Sequence, residues 1–329
     1  MRLRKEFDLQ AHRGGRGLIV ESILPTFANA LTLGVTTLEC DIHVSIDGAP
    51  MVVHDRRLSA KLYDDTEPAV EGDPFFPYVG GLVTDYSVAQ LRTIDAGSHH
   101  RRELPDATLV PGARIPLLGE LFDLVAERGA DEVRFNIETK FDAVAPHETA
   151  PRERFADTIV AAAQQAGLVD RISVQSFDWE VLRQVREREP GLRLNVLAAP
   201  KYLKVTKDGP SPWVGGVDLD GFPDLVAAVA AERFDAISPA HGYPFASGVD
   251  DPAYQPFTTP ELIERAHAEG IEVIPYTLND PATAAALIEQ GVDGLITDFP
   301  DRIRGVLEAL GMPLPSAHPG TPPGANPDD

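Results

Sequence analysis

Beyond residue 114 the chain alternates between two apolar periods. Apolar residues three and four apart predict helices over 115–128, 155–165, 179–188, 224–233, 261–269, 282–290 and 303–310, with Gly129 and Gly167 as stop signals. Between them, short runs rich in β-branched residues predict strands over 133–139, 172–175, 192–197, 236–238, 273–276 and 294–297. Upstream, 7–11 and the segment starting at Thr37 read as two more strands, flanking a helix over 25–33 that ends at Gly34. Eight strands alternating with helices predict a (β/α)8 barrel of the TIM type. An open doubly wound sheet is the alternative, but no G-x-G-x-x-G follows the first strand.

The alternation breaks over 56–114, where Gly, Pro, Asp and His cluster around one expected helix near 88–92. Such a stretch is too long for an ordinary connection and reads as an insertion after the second strand and its hairpin. Its aromatic portion, EGDPFFPYVGG, is expected to pin the insertion to the body rather than cover a site mouth. The expected organisation is one catalytic domain over 1–312, followed by a disordered Pro/Gly-rich tail over 313–329.

Charge narrows the partners. With 51 acidic and 29 basic residues in 329, the formal charge of −22 repels nucleic acid and anionic membranes, so an anionic substrate must be attracted locally. The single cysteine, Cys40, excludes an internal disulfide framework and a thiolate metal cage, and reads as a small core residue. No apolar run suits a signal peptide or a membrane span, so a cytoplasmic protein with no stable membrane association is expected.

Candidate chemistry concentrates in 37–55, TLECDIHVSIDGAPMVVHD. Strand alternation points Glu39, Asp41 and His43 one way and Leu38, Cys40 and Ile42 the other. Asp47-Gly48 then turns a hairpin that brings His54 to the same end. Two carboxylates in one volume raise each other's pKa unless a positive charge intervenes, which a bound cation would supply. A buried ion pair with a turn-capping histidine is the plainer reading of the stretch. At the carboxyl ends of the other strands stand His12 and Arg13, before the glycine-rich Gly14-Gly15, and Glu138 with Lys140. Three carboxylates suit Mg²⁺ or Ca²⁺ rather than Zn²⁺, Arg13 and Lys140 suit an anion, and His12 and His54 suit divided acid and base roles.

Several motifs carry a resemblance: His12-Arg13-Gly14, Glu21 before a helix, Leu38-Glu39-Cys40-Asp41, Asp47-Gly48 and Val53-His54-Asp55. Further along come Ile137-Glu138-Thr139-Lys140, Gln175-Ser176-Phe177, Tyr276-Thr277-Leu278-Asn279 and Ile296-Thr297-Asp298-Phe299-Pro300. Together they resemble the signature of the glycerophosphodiester phosphodiesterase family. The resemblance implies a TIM-type barrel that hydrolyses a small phosphodiester to glycerol 3-phosphate and an alcohol with a divalent cation. It implies His12 and His54 as the acid/base pair, Glu39, Asp41 and Glu138 as metal ligands, Arg13 and Lys140 as phosphate contacts, and Glu21 as a ligand or support in the first loop.

The chain departs from that pattern where Ser22-Ile23 replaces the usual Asn-Thr after the glutamate, where RRLSAKLYDD lacks an Arg-Thr-Thr run, and where Tyr276 stands for a tryptophan. These positions surround the substrate rather than the central acids and histidines. A lysophospholipase-D-like or sphingomyelinase-D-like activity on a lipid is the alternative within the same chemistry, and it would want an apolar entrance, for which Phe75-Phe76 is the candidate. His43 is expected at the barrel lip or hairpin and His99 and His100 in solvent. His241 suits a pocket lining or a polar loop equally, and Lys201, Tyr202 and Trp213 suit a packed loop, with contact to the leaving alcohol as the alternative.

Overall fold

The computed structural model describes residues 6–204 and 209–320. Eight parallel strands form the barrel: β1 (Asp8–Ala11), β2 (Thr37–Val44), β6 (Arg134–Thr139), β7 (Ile172–Ser176), β8 (Arg193–Ala198), β9 (Ala236–Pro239), β12 (Glu272–Val273) and β13 (Gly294–Thr297). β3 (Pro50–Val52) pairs antiparallel with β2, with Val44 opposite Pro50, which makes the expected hairpin. Two-residue ladders β4 (Asp64–Asp65) with β5 (Ile94–Asp95), and β10 (Gly242–Tyr243) with β11 (Gln255–Pro256), lie in the excursions.

The outer layer holds α1 (Leu24–Leu33), α3 (Leu118–Glu127), α4 (Arg152–Ala166), α5 (Trp179–Arg188), α7 (Leu225–Ala231), α8 (Pro260–Glu269), α9 (Pro281–Gln290) and α10 (Pro300–Ala309). Short helices α2 (Val88–Leu91) and α6 (Pro200–Leu203) sit in loops. Side chains that satisfy free backbone N–H groups start several of these helices: Asp178 for α5, Asp224 for α7, Thr259 for α8 and Asp280 for α9. The helix expected from Ile115 begins only at Leu118, because Ile115 packs into the insertion and the Pro116 carbonyl accepts from Val52 N.

Outward strand residues such as Leu38, Cys40, Ile42, Phe135, Val174 and Leu194 bury against the helices, so all eight positions of β2 are buried. The barrel interior instead carries Gln10, Asn136, Gln175, Asn195 and Ser238. The barrel is nearly closed, with its seam at β12 and β13. There no ladder forms, and three backbone hydrogen bonds join the strands: Asp293 N to Val273 O, Ile296 N to Pro275 O, and Leu278 N to Ile296 O. Pro275 has no N–H to extend the pairing.

The insertion holds its own apolar cluster, built from Leu58, Tyr63, Tyr78, Val83, Tyr86, Leu91 and Ile94 against Met51 and Val53 of the hairpin. Tyr78 is buried in that cluster, with Phe76 half-buried edge-on against it and Tyr86 on its other side, and Phe75 stays exposed. Within 313–320, expected to belong to a disordered tail, Pro315 is buried while most of the other residues are exposed, and hydrogen bonds tie the stretch to the body. Met312 joins the core, His318 N donates to Leu31 O (2.7 Å), and Arg304 donates to the Gly34 and Pro315 carbonyls. Its prolines favour an extended path whose backbone carbonyls are free to accept from arginines. The rest of the expected tail, 321–329, lies outside the described residues. Among the described residues no helix is long and apolar enough to cross a membrane.

Candidate active site

The parallel register of β2 and β6 sets Asp41 directly beside Glu138, with Glu39 one step below on the same face of β2. Glu39, Asp41 and Glu138 are buried, and one carboxylate oxygen from each lies within 4.8 Å of the others. Lys140, two residues past Glu138, places Nζ 2.7 Å from Glu138 Oε1 and 3.4 Å from Asp41 Oδ1. Arg13 brings Nε to 3.1 Å from Asp41 Oδ2, and its backbone N donates to Glu39 Oε2 at 2.8 Å.

That backbone contact depends on the loop after β1. Arg13 adopts a left-handed conformation (φ 50°) and Gly14 continues it (φ 84°). A Cβ on Gly14 would meet Phe27 and Thr26 at 3.0 Å, so glycine lets α1 press against the turn. Ser22 is also left-handed (φ 59°), and its hydroxyl is buried without a hydrogen-bond partner. Asparagine, usual in the family at this position, tolerates that conformation better than serine.

Burial, reinforced by Asp41 and Glu138, raises the Glu39 pKa, and burial with Asp41 pushes Glu138 up to about 7 against the pull of Lys140. Burial acts upward on Asp41 as well, but Lys140 and Arg13 outweigh it and hold its carboxyl below the usual range. Both Asp41 oxygens are buried without a hydrogen-bond partner. Three carboxylates thus share two cations, and Arg13 also answers Glu21 at 2.9 Å. A triad of carboxylates only partly balanced by two cations, whose Asp41 oxygens are ion-paired but accept no hydrogen bond, fits a hard divalent cation.

Two histidines stand close to the triad, each oriented through Nδ1. His12 Nδ1 lies 2.5 Å from Asp298 Oδ1, and Asp298 accepts from Arg16 Nε (2.7 Å) and Asn279 Nδ2 (2.8 Å). His54 Nδ1 lies 2.5 Å from Asp55 Oδ1, whose second oxygen accepts from Arg101 at 3.0 Å. A carboxylate on Nδ1 fixes the tautomer and leaves Nε2 for other work. Burial and then Arg13 lower the His12 pKa to about 4 despite Asp298, and burial with Arg13 and Lys140 lowers that of His54.

Glu21 sits apart from the carboxylate triad. It ties Arg13, Arg16 and Arg101 together, with Arg101 gripping it through two nitrogens at 2.6 and 2.7 Å. Arg16, Asp55, Arg101, Asn279 and Asp298 all join this arrangement without a role assigned from sequence. Asp298 lay in a quoted motif, whereas Arg101 lies in an insertion with no periodicity to single it out. His43 is buried, within hydrogen-bond reach of His54 O (3.2 Å), and lies near the Phe155 ring. His241 is buried and satisfied by Tyr254 and Phe245, and His99 pairs with Asp64.

A cavity of about 470 Å³ takes in His54, Glu138 and Lys140 together with Phe177, Tyr202 and Trp213. Those aromatics form a continuous strip: Phe177 stacks on Tyr202 with ring centres 3.9 Å apart, Trp213 meets Tyr202 edge-on, and Tyr276 and Phe245 extend it. Tyr202 and Trp213 therefore pack, as expected, and also line the cavity. Cys40 faces the core, away from the acids.

A relative from Caldanaerobacter subterraneus subsp. tengcongensis, named glycerophosphodiester phosphodiesterase, is 24% identical over 293 residues, covering 89% of this chain and 94% of its own. The crystal structure of a protein from Silicibacter pomeroyi, assigned to the glycerophosphoryl diester phosphodiesterases, superposes with a TM-score of 0.75 at 27% identity, covering 95% of this chain and 96% of that one. A phosphodiesterase from Oleispira antarctica, solved with the product sn-glycerol-3-phosphate, shares the fold with a TM-score of 0.65 at 21% identity, over 92% of this chain and 96% of that one. Residues 12–302, from the first histidine to just past Asp298, match the glycerophosphoryl diester phosphodiesterase family, and the chain belongs to that family.

Proposed function

We propose that this protein hydrolyses small glycerophosphodiesters to glycerol 3-phosphate and an alcohol by two-histidine acid/base catalysis. The observation that carries the reading is the pair of imidazoles, each held through Nδ1 by its own carboxylate, both close enough to a carboxylate triad to act on Asp41. One histidine enters neutral and takes the proton from the attacking hydroxyl. The other enters as imidazolium, favoured once the anionic phosphate offsets Arg13 and Lys140, and gives its Nε2 proton to the departing alkoxide, so a diester and water leave as monoester and alcohol. The arrangement serves attack by water and by the substrate's own glycerol hydroxyl alike.

Glu39, Asp41 and Glu138 would hold Mg²⁺ or Ca²⁺, which when bound supplies positive charge toward the non-bridging phosphate oxygens. Arg13 and Lys140 add fixed charge from the protein, and burial strengthens it by excluding water. The product complex of the Oleispira antarctica neighbour supports the same product here.

The test is release of glycerol 3-phosphate from glycerophosphocholine and glycerophosphoethanolamine by purified protein, after chelation and with Mg²⁺ or Ca²⁺ restored. Release that returns with the cation and vanishes in His12→Ala is expected. Cation-independent release, or an active His12→Ala, His54→Ala double variant, would overturn the mechanism.

The aromatic strip from Trp213 to Phe245 favours a second reading, a lysophospholipase-D-like or sphingomyelinase-D-like activity. It is the apolar entrance that such a substrate would need, at a different place from Phe75. Choline release from lysophosphatidylcholine or sphingomyelin, with none from glycerophosphocholine, would select it.

A further inference from the structure

Beneath the carboxylate triad, the inside of the barrel is wired rather than greasy. Asn136 Nδ2 donates to two acceptors, Gln10 Oε1 at 2.8 Å and Gln175 Oε1 at 2.9 Å. Gln175 Nε2 in turn donates to Glu39 Oε1 at 2.7 Å, and Gln10 Nε2 donates to Asp8 Oδ2 at 2.9 Å. The Asn136 carbonyl accepts from the Ser173 hydroxyl at 3.0 Å. Four strands, β1, β2, β6 and β7, thus contribute to one chain of amides.

With Glu39 ionised, as a cation-holding carboxylate must be, the polarity of this chain admits one solution. Both of its ends are ionisable carboxyls, Asp8 at the base and Glu39 at the top, and a carboxylate only accepts. Each glutamine must therefore turn its NH₂ outward and its carbonyl inward, and Asn136 must supply both inward protons. Reversing the Asn136 amide would set its oxygen against both glutamine oxygens and lose those two bonds, while the Ser173 hydroxyl, which donates to the Asn136 oxygen here, could bond either orientation. Gln175 is braced from below with its donor aimed at Glu39.

Glu39 is then held from two sides. Oε1 accepts from Gln175 and Oε2 from the backbone N of Arg13, both neutral donors. Each oxygen keeps lone-pair capacity for another partner. Asp41 differs, because its neighbours in the site are the charged groups of Arg13 and Lys140. Glu39 is the member of the triad whose orientation is set by uncharged hydrogen-bond donors.

We propose that Gln175 is a positioning residue for divalent-cation binding: it holds the Glu39 carboxylate in its ligating orientation, with Asn136 and Gln10 as its brace. The proposal rests on the reading of Glu39, Asp41 and Glu138 as the cation site. Groups that orient a metal ligand in this way are worth about 10–100-fold in metal affinity. A purely space-filling role for the amide layer predicts no such dependence.

The experiment is calorimetric titration of the chelated full-length protein with Mg²⁺ and with Ca²⁺, comparing the unaltered protein, Gln175→Met and Asn195→Leu. Methionine matches glutamine in length and removes the donor. Asn195→Leu breaks another polar pair of the barrel interior, to Ser238 at 2.8 Å, without touching Glu39. Expected is an affinity about 10–100-fold weaker in Gln175→Met and unchanged in Asn195→Leu, with thermal unfolding confirming that each is folded. Should Gln175→Met not fold, Gln175→Asn keeps a neutral amide but draws its donor back from Glu39 by one methylene, and the same weakening is expected. Unchanged affinity in the folded Gln175 variant, or equal weakening in Asn195→Leu, would overturn the proposal. Failure of the unaltered protein to bind either ion would overturn the cation-site reading instead.

Discussion

The two histidines are held by the same chemical device built from different parts of the molecule. The partner of His12 is Asp298, 286 residues away at the end of β13, so this arm exists only once the barrel has come round on itself. The partner of His54 is its neighbour Asp55, steadied by Arg101 from the insertion. Exposure follows construction: the His12 and Asp298 side chains are 12% and 3% exposed, those of His54 and Asp55 26% and 27%. One arm belongs to the barrel core and the other is lent by an excursion from it. Stability and activity should therefore separate differently in the two.

Removing either ring should have the largest effect. His12→Ala and His54→Ala are each expected to lower kcat by about 10²–10⁴, the usual worth of a positioned acid or base, with the fold intact by circular dichroism. A loss in only one of them would break the symmetry of the two arms.

The carboxylates come next and should diverge. Asp298→Ala leaves Arg16 buried without its main partner and is expected to cost about 3–5 kcal/mol in urea unfolding, as for other broken buried pairs. Asp55→Ala is expected to cost about 1 kcal/mol or less, since that pair is partly solvated, while still reducing turnover. Equal destabilisation would show that the insertion arm is as much part of the core as the barrel arm.

Arg101→Ala should lower kcat and also cost stability, though less than Asp298→Ala because Glu21 keeps Arg13 and Arg16. Arg101→Lys should restore only part of the activity, because an ammonium cannot grip Glu21 with two nitrogens. A loss confined to KM would assign Arg101 to substrate binding rather than to His54.

The smallest expected effect is on pH-linked stability. The native pKa of His12, about 4, lies below the unfolded value of 6.5, so the unfolded chain binds more protons between these limits. The stability that neutral His12 contributes is fully present above pH 6.5 and is lost as pH falls toward 4. Glu138, with its native pKa near 7, acts in the opposite direction, and comparison with His12→Asn cancels it. The difference in unfolding free energy between the unaltered protein and His12→Asn should narrow from pH 7 to pH 4.5. A widening would mean that Asp298 outweighs burial at this ring.

The barrel was legible because it rests on local rules. Period-two alternation placed Glu39 and Asp41 on one face, and glycine stops and capping side chains bounded the helices, as with α5 over the expected residues. The strand ends then gathered the triad and both histidines without any knowledge of register. What sequence could not show is contact across distance. Arg101 reaches Glu21 and Asp55 from a segment with no periodicity, and Asp298 reaches His12 only through closure. The polar interior was hidden for another reason: Gln10, Asn136 and Gln175 sit in strands whose outward faces are apolar, and scattered amides there look like ordinary strand polarity. The stretch 313–320 reads as disordered by composition, since its anchoring carbonyls belong to no side chain.

The sparse seam between β12 and β13 makes the barrel mechanically uneven. A ring joined by ladders on seven sides and by three isolated hydrogen bonds on the eighth opens first along that weak line, so amide protons there should exchange with solvent sooner than those of β6 and β7. Asn279, just past the seam, holds Asp298, and Asp298 holds His12. Breathing of the seam is therefore felt at His12, and a ligand that braces His12 should slow deuterium uptake at the seam donors Leu278 and Ile296.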